Sequence, residues 1–167
     1  MPQILKVDPN DSLAGHSKNI RNILKSGGVI AFPTDTYYGL GVNPFNEKGI
    51  RKVFKIKSRE TNKPLLVLVA SEDQLDQLVQ SRSPDVNRLI KHFWPAPLTL
   101  IFNAAPELPS NLIGGTCKVG VRLPSSSWTC QLIEEVGFPL TATSANKSNE
   151  TNLRTADEVA QAFGNKI

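Results

Sequence analysis

Four polar segments of this 167-residue chain combine residue types that do chemistry. In Pro33-Thr34-Asp35-Thr36-Tyr37-Tyr38-Gly39-Leu40-Gly41, hydroxyls, a carboxylate and two glycines follow directly on the apolar run Val29–Phe32. A polar loop at a strand exit is a common ligand site, and hydroxyls beside a carboxylate suit the ammonium group of an amino acid. The same residues also satisfy the backbone of an ordinary turn, and both readings stay open. The second segment holds Lys48, Arg51, Lys52, Lys55, Lys57, Arg59 and Lys63, opposed within it only by Glu60. Lys48, Arg51, Lys52 and Lys55 recur at i, i+3, i+4 and i+7, which puts them on one solvated helix face. Lys57 falls on the apolar side, one heptad from Ile50. With Arg59 and Lys63 it surrounds a helix end, where the three heads are expected to converge on one anion.

The third segment, Leu140-Thr141-Ala142-Thr143-Ser144-Ala145-Asn146, puts Ser144 and Asn146 at a strand exit, where they can donate to phosphate or to a substrate hydroxyl. The fourth, Lys118–Leu123, ends an apolar strand with Arg122, a cation for an acidic partner or an anionic ligand.

The elements that must position these groups alternate between strand and helix patterns. Gln3–Val7 reads as a strand. Ser12 caps a helix through Lys25, with Ile20, Ile23 and Leu24 on one face, and Gly27-Gly28 ends it. Val29–Phe32 reads as a buried strand and 33–44 as a loop. Asn46 caps a helix burying Ile50, Val53 and Phe54. Leu65–Val69 is a short apolar strand. Ser71 and Gln74 form a capping box ahead of Leu75 and Leu78. Val86, Leu89, Ile90 and Phe93 make a helical stripe that Trp94-Pro95-Ala96-Pro97 breaks. Leu98–Phe102, Lys118–Leu123 and Leu140–Thr143 read as strands and Trp128–Val136 as a helix. Thr155 and Glu158 box the start of a last helix through Phe163. The pattern is α/β with a mostly buried, mixed sheet.

Composition narrows the classes further. Apolar residues make up 40% and charged residues 20%, the balance of a soluble globular domain; a disordered tail, a collagen-like fibre and a coiled coil are excluded. The longest aliphatic run, Leu65–Ala70, is far short of the ~18 residues of a membrane helix. The first residues lack the apolar core of a signal peptide, so a cytoplasmic protein without membrane contact is expected. Nineteen Lys and Arg against fifteen Asp and Glu give +4. The clustering of the excess favours a polyanion such as a nucleotide triphosphate or RNA. Two cysteines, Cys117 and Cys130, and two histidines, His16 and His92, offer neither a disulfide framework nor zinc spacing; both thiols are expected reduced and partly buried. No phosphate-cradling glycine loop of the common nucleotide folds is present.

Taken in order, 33–41, Lys57-Ser58-Arg59 with Lys63-Pro64-Leu65, Trp94-Pro95-Ala96-Pro97-Leu98-Thr99, Val119-Gly120-Val121-Arg122-Leu123-Pro124 and Thr143-Ser144-Ala145-Asn146 resemble the motif series of the YrdC-like threonylcarbamoyl-AMP synthases. The resemblance runs from about Gly27 to the last residues. It implies a twisted mixed sheet flanked by helices around a deep basic cavity. It implies a single domain over 1–167 that lacks the strand and Gly-x-x-Ser-Thr segment usual after the family's final helix. The implied reaction joins L-threonine, bicarbonate and ATP into threonylcarbamoyl-AMP and pyrophosphate, for N6-threonylcarbamoyladenosine in tRNA. Carried over, Lys57, Arg59, Ser144 and Asn146 surround ATP and the reacting groups. Thr34, Thr36 and Arg122 recognise threonine, with Tyr38 or Tyr37 lining its pocket. Lys63 joins Lys57 and Arg59 at the pyrophosphate. Mg²⁺ is expected to be held mainly by the ATP phosphates, with no protein metal cluster. The implied partners are tRNA or double-stranded RNA and downstream threonylcarbamoyl transferase proteins. Ala96 and Asn149 stand where the family usually has Gly.

Two other functions fit parts of this pattern: an RNA-binding module with a vestigial cavity, and carbamoyl transfer in metalloenzyme maturation. Lys57-x-Arg59 and Ser144-x-Asn146 favour the synthase, since an RNA binder has no use for Thr34 or a strand-end Arg122.

Overall fold

A computed structural model describes residues 3–7, 13–147 and 150–167 of the chain. Helix α1 (Ala14–Lys25) stops where Gly27 adopts φ +83 and the N–H groups of Gly27 and Gly28 turn back to Leu24 and Ile23. Left-handed φ at this position is the usual glycine stop. The chain then enters β1 (Ile30–Pro33), turns through residues 34–37 and returns as β2 (Tyr38–Gly41). Helix α2 (Glu47–Lys57) is capped by Asn46, whose side chain accepts from the Gly49 N–H. After it come β3 (Leu66–Leu68), α3 (Glu72–Asp76), α4 (Pro84–Phe93), β4 (Leu100–Asn103), β5 (Lys118–Arg122), α5 (Ser127–Val136), β6 (Leu140–Ser144) and α6 (Ala156–Phe163). The capping box of Thr155 and Glu158 is complete.

Among the described residues the strands make one six-stranded sheet in the order β1-β2-β6-β3-β5-β4. Only the β3–β5 pair is parallel, so the sheet is mixed, as expected. The two-residue repeat of a strand divides the core. Val67 joins Val119, Val121 and Phe102 with α2, α3 and α4, through Ile50, Val53, Phe54, Leu75 and Ile90. The next residue, Leu68, joins Phe32 and Leu140 with α1 and α5, through Leu24, Leu132 and Ile133. Helices therefore cover both sides of the sheet, and no helix among the described residues is long and apolar enough to cross a membrane.

Several sequence expectations are corrected. Residues 3–7 form no strand, because no ladder partner among the described residues lies beside them; Leu5 and Val7 instead pack on the α1–α5 cluster. With Ile4 they line an apolar cavity of about 730 Å³ along β1 and α6, which Thr34 and Tyr38 also border. Ser12 and Asn149 lie outside the described residues. Residues 38–41 are a strand rather than part of a loop. The glycines that suggested a loop answer a packing demand, for a Cβ on Gly41 would stand 2.6 Å from the Phe32 ring and 2.9 Å from Thr141 O. The Gln74 side chain accepts from the Ala70 N–H rather than from Ser71, so that box is offset by one residue. On α4 only Ile90 is buried, while Leu89 and Phe93 are 41% and 50% exposed. Cys117 is exposed and Cys130 half-buried, both with free thiols.

Candidate active site

The β1–β2 turn, the end of β6 and the end of β5 meet over one sheet face. Register decides which side chains meet there. Leu66 stands opposite Ala142, and Leu68 opposite Arg122. Alternate residues Leu66 and Leu68, and Ala142 and Ser144, therefore share the face that Arg122 joins. They line a cavity of about 160 Å³, closed on the other side by residues 34–39, Pro124 and Thr129. Its floor is aliphatic, and its wall carries hydroxyls, one carboxylate and one guanidinium.

Thr34, Thr36, Tyr38 and Arg122 all line this cavity. The Thr34 hydroxyl donates to Tyr37 O at 2.7 Å and accepts from the Thr36 N–H at 3.4 Å. It thus builds the turn, and Thr36 is left exposed. Asp35 tethers the turn across the mouth, accepting from the Ser125 hydroxyl at 3.5 Å. Tyr38 is anchored by its backbone, which donates to Leu153 O and accepts from the Ala145 N–H. Arg122 donates Nε and Nη2 to the Thr99 hydroxyl oxygen at 3.1 and 2.9 Å. A guanidinium has five N–H donors, so most of its fork stays available.

The second group sits behind the end of β6. Lys57, the last residue of α2, is 1% exposed. Its ammonium donates to Ser144 O, to Asn146 O at 2.6 Å and to Asn146 Oδ1 at 3.1 Å. The Ser144 hydroxyl donates to the same Oδ1 at 2.5 Å, and Asn146 Nδ2 donates to Glu150 O at 2.5 Å. Ser58 turns the chain with φ 50, which sends Arg59 beside Lys57. Arg59 Nη2 donates to Pro64 O at 3.1 Å, while its Nε is buried without a partner among the described residues. An orphaned buried donor is costly, and an anion is its natural complement.

Burial, and secondarily the Arg59 charge, hold the Lys57 ammonium down at about 8 against an ordinary 10.5. Between those values the unfolded chain keeps a proton that the folded chain has released, so folding stability rises with pH in that window. The burden of the buried charge is complete below about 8 and is relieved towards 10.5. In urea unfolding, wild type is expected to gain on Lys57→Met as the pH goes from 7 to 10. A difference that ignores pH would contradict a lowered Lys57.

The Sua5/YciO/YrdC family profile, described as telomere recombination, matches residues 22–167. The chain belongs to this family. It is 37% identical over 144 residues to a threonylcarbamoyl-AMP synthase of Pyrococcus abyssi, covering 86% of this chain and 42% of that protein. A threonylcarbamoyl-AMP synthase of Thiobacillus denitrificans is 32% identical over 94% of this chain and 84% of its own length. The crystal structure of P. abyssi Sua5 complexed with L-threonine superposes with a TM-score of 0.85 at 34% identity, over 92% of this chain and 45% of that one. The chain thus spans about half the length of the P. abyssi protein.

Within this Sua5/YciO/YrdC chain the expected site residues fall into two adjoining groups, joined at Ser144, which lines the cavity while its carbonyl meets Lys57. The Lys63 ammonium is exposed and pairs with Glu60 at 3.2 Å, whereas Lys57 is buried. Lys48, Arg51 and Lys55 are exposed and Lys52 half-buried, with Arg51 paired to Glu47. Arg122 is the basic residue of the cavity wall among the described residues. Sequence reasoning missed Thr99, Ser125 and Arg154, whose guanidinium lies 5.2 Å above the Tyr37 ring. Thr99 alone had a signal, as the last residue of the Trp-Pro-Ala-Pro-Leu-Thr segment.

Proposed function

We propose that this chain is an L-threonylcarbamoyladenylate synthase, acting in the cytoplasm as one domain. The observation that carries this reading is an amino-acid-sized cavity with Arg122 over an aliphatic floor, adjoining the Ser144–Asn146 turn and the orphaned Arg59 donor, in a chain similar to threonylcarbamoyl-AMP synthases and to a Sua5 complexed with L-threonine. L-Threonine occupies the cavity, its carboxylate on Arg122 and its methyl on the floor. Thr34 shapes the turn, and Thr36 and Tyr38 border the pocket. Bicarbonate supplies carbon dioxide, which the threonine amine takes up as a carbamate. A carbamate oxygen then forms a bond to the α-phosphorus of ATP as the α–β phosphoanhydride bond breaks, and pyrophosphate leaves. No protein nucleophile is needed; placing the reactants and neutralising phosphate charge supply most of the rate. Arg59 is the cation for that charge, and Ser144 and Asn146 border the reacting groups, with Lys57 behind them.

Among the described residues no three of His, Cys, Asp and Glu come together as a metal cage. Mg²⁺ belongs to this reading as part of the ATP substrate, held mainly through its phosphates. The product serves threonylcarbamoyl transfer to tRNA by downstream proteins, and the exposed Lys48, Arg51 and Lys55 face is available to the RNA phosphates.

Calorimetric titration with L-threonine and with ATP, followed by assay of pyrophosphate release, tests the proposal. L-Serine lacks the methyl that meets Leu66, Leu68 and Ala142, and losing that contact is expected to cost about 1–3 kcal/mol. Equal binding of threonine, serine and valine would remove the reading of the cavity as selective for threonine.

A further inference from the structure

Lys57 looks at first like a phosphate ligand, a cation in a Lys-x-Arg pair beside the reacting groups. Its hydrogen bonds argue otherwise. A lysine ammonium has three donors and no acceptor. All three of these are met by protein oxygens: Ser144 O, Asn146 O at 2.6 Å and Asn146 Oδ1 at 3.1 Å. The side chain is 1% exposed, among the most buried in the chain. Reaching a phosphate would take Lys57 away from at least one of these oxygens and leave a buried acceptor unmet.

The oxygens it holds are not scattered. Two are main-chain carbonyls two residues apart at the exit of β6, and the third is the side-chain amide between them and Glu150. The Ser144 hydroxyl donates to that same amide oxygen at 2.5 Å, and the Asn146 N–H closes on Ser144 O at 2.9 Å. One ammonium therefore sets the path of the turn, the rotamer of Asn146 and, through Oδ1, the direction of the Ser144 hydroxyl. Arg59 contrasts with this, since its Nε is buried with no partner among the described residues.

We propose that Lys57 is a positioning residue, which clamps the Ser144–Asn146 turn from the end of α2 and leaves the contact with the phosphate anion to Arg59. The proposal rests on the nucleotide reading for the part of Arg59, whereas the clamp stands on the ligand-free chain alone.

The test therefore has two arms. In the first, amide hydrogen exchange is followed by NMR in the ligand-free protein. Lys57→Met is expected to speed exchange at Ala145, Asn146 and Lys147 at least ~10-fold through loss of the clamp, and Arg59→Met to leave those amides within about twofold. Lys57→Gln keeps two N–H donors; it is expected to fall between wild type and Lys57→Met, and it serves if the methionine variant does not fold. Unchanged exchange at the turn in both Lys57 variants would overturn the clamp.

The second arm titrates pyrophosphate as the anion. Arg59→Met is expected to weaken it at least ~10-fold and Lys57→Met no more than about threefold, as for a charge-assisted bond lost in one variant only. Equal weakening by the two variants would overturn the division of labour. If pyrophosphate does not bind wild type at all, the nucleotide reading and the part of Arg59 fall, while the exchange arm still decides the clamp.

Discussion

Arg59→Ala is expected to cut ATP-dependent pyrophosphate release by roughly two orders of magnitude in kcat/KM while leaving the chain folded. A hydrogen bond to a charged group contributes about 1.5–3 kcal/mol, and each 1.36 kcal/mol is tenfold in rate. The contact gains strength as charge gathers on the departing pyrophosphate, so the larger share of the loss should appear in kcat rather than KM. Folding is spared because the alanine removes a donor that has no partner among the described residues, together with the bond from Nη2 to Pro64 O. That bond is worth about 1 kcal/mol. Circular dichroism and a urea midpoint would establish that the variant is native, and a coupled pyrophosphate assay reads the loss. Lys48→Ala and Lys52→Ala serve as the contrast. Lys48 lies exposed and Lys52 half-buried along the solvated stripe of α2, and their turnover is expected to stay near wild type. Should they fall as far as Arg59→Ala, the separation of this basic segment into a solvated stripe and an anion site is mistaken.

The departure of Lys57 from the exposed stripe was already legible in the chain. Lys57 stands one heptad after Ile50, on the apolar side of an amphipathic helix, and the structure buries both. Ser144 and Asn146 could be read because polar residues directly follow an apolar strand start. The Lys63–Glu60 pair could not be read from the chain, because nothing local distinguishes a lysine aimed at a ligand from one paired with a glutamate three residues earlier. Glycines 39 and 41 misled for a related reason. Their spacing suits a loop, but here they are strand residues that let β2 lie under the Phe32 ring and against β6, and a clearance of that kind depends on a partner strand about a hundred residues away. Gln3–Val7 has strand-like content, yet a strand exists only when another supplies its ladder. The contact of Thr99 with Arg122 was hidden until β4 and β5 were paired: Leu100 stands opposite Val121, so the residue one step back meets the residue one step on, which is Arg122.

That last pairing carries the second large effect. Arg122→Leu is expected to weaken L-threonine binding about 10- to 150-fold, the loss of a charge-assisted contact of about 1.5–3 kcal/mol. Arg122 lies at the end of β5, held from one side by the Thr99 hydroxyl, which accepts both Nε and Nη2. A hydroxyl acceptor fixes the plane of the guanidinium without neutralising it, so the remaining N–H donors form a fork matched to a carboxylate. The same placement predicts a graded response. Thr99→Val keeps the size of the side chain and removes the acceptor, so Arg122 stays charged but loses its fixed plane. Only a few-fold loss is expected, since the ion pair remains while its orientation is no longer held. ATP affinity, measured separately by calorimetry, should change by no more than about threefold in either variant, because Arg122 lies at the amino-acid end and Arg59 carries the phosphate charge. If Arg122→Leu bound threonine as wild type does, the carboxylate would have to sit elsewhere. If Thr99→Val were as severe as Arg122→Leu, the hydroxyl would be a direct ligand of the amino acid and not the support of its cation.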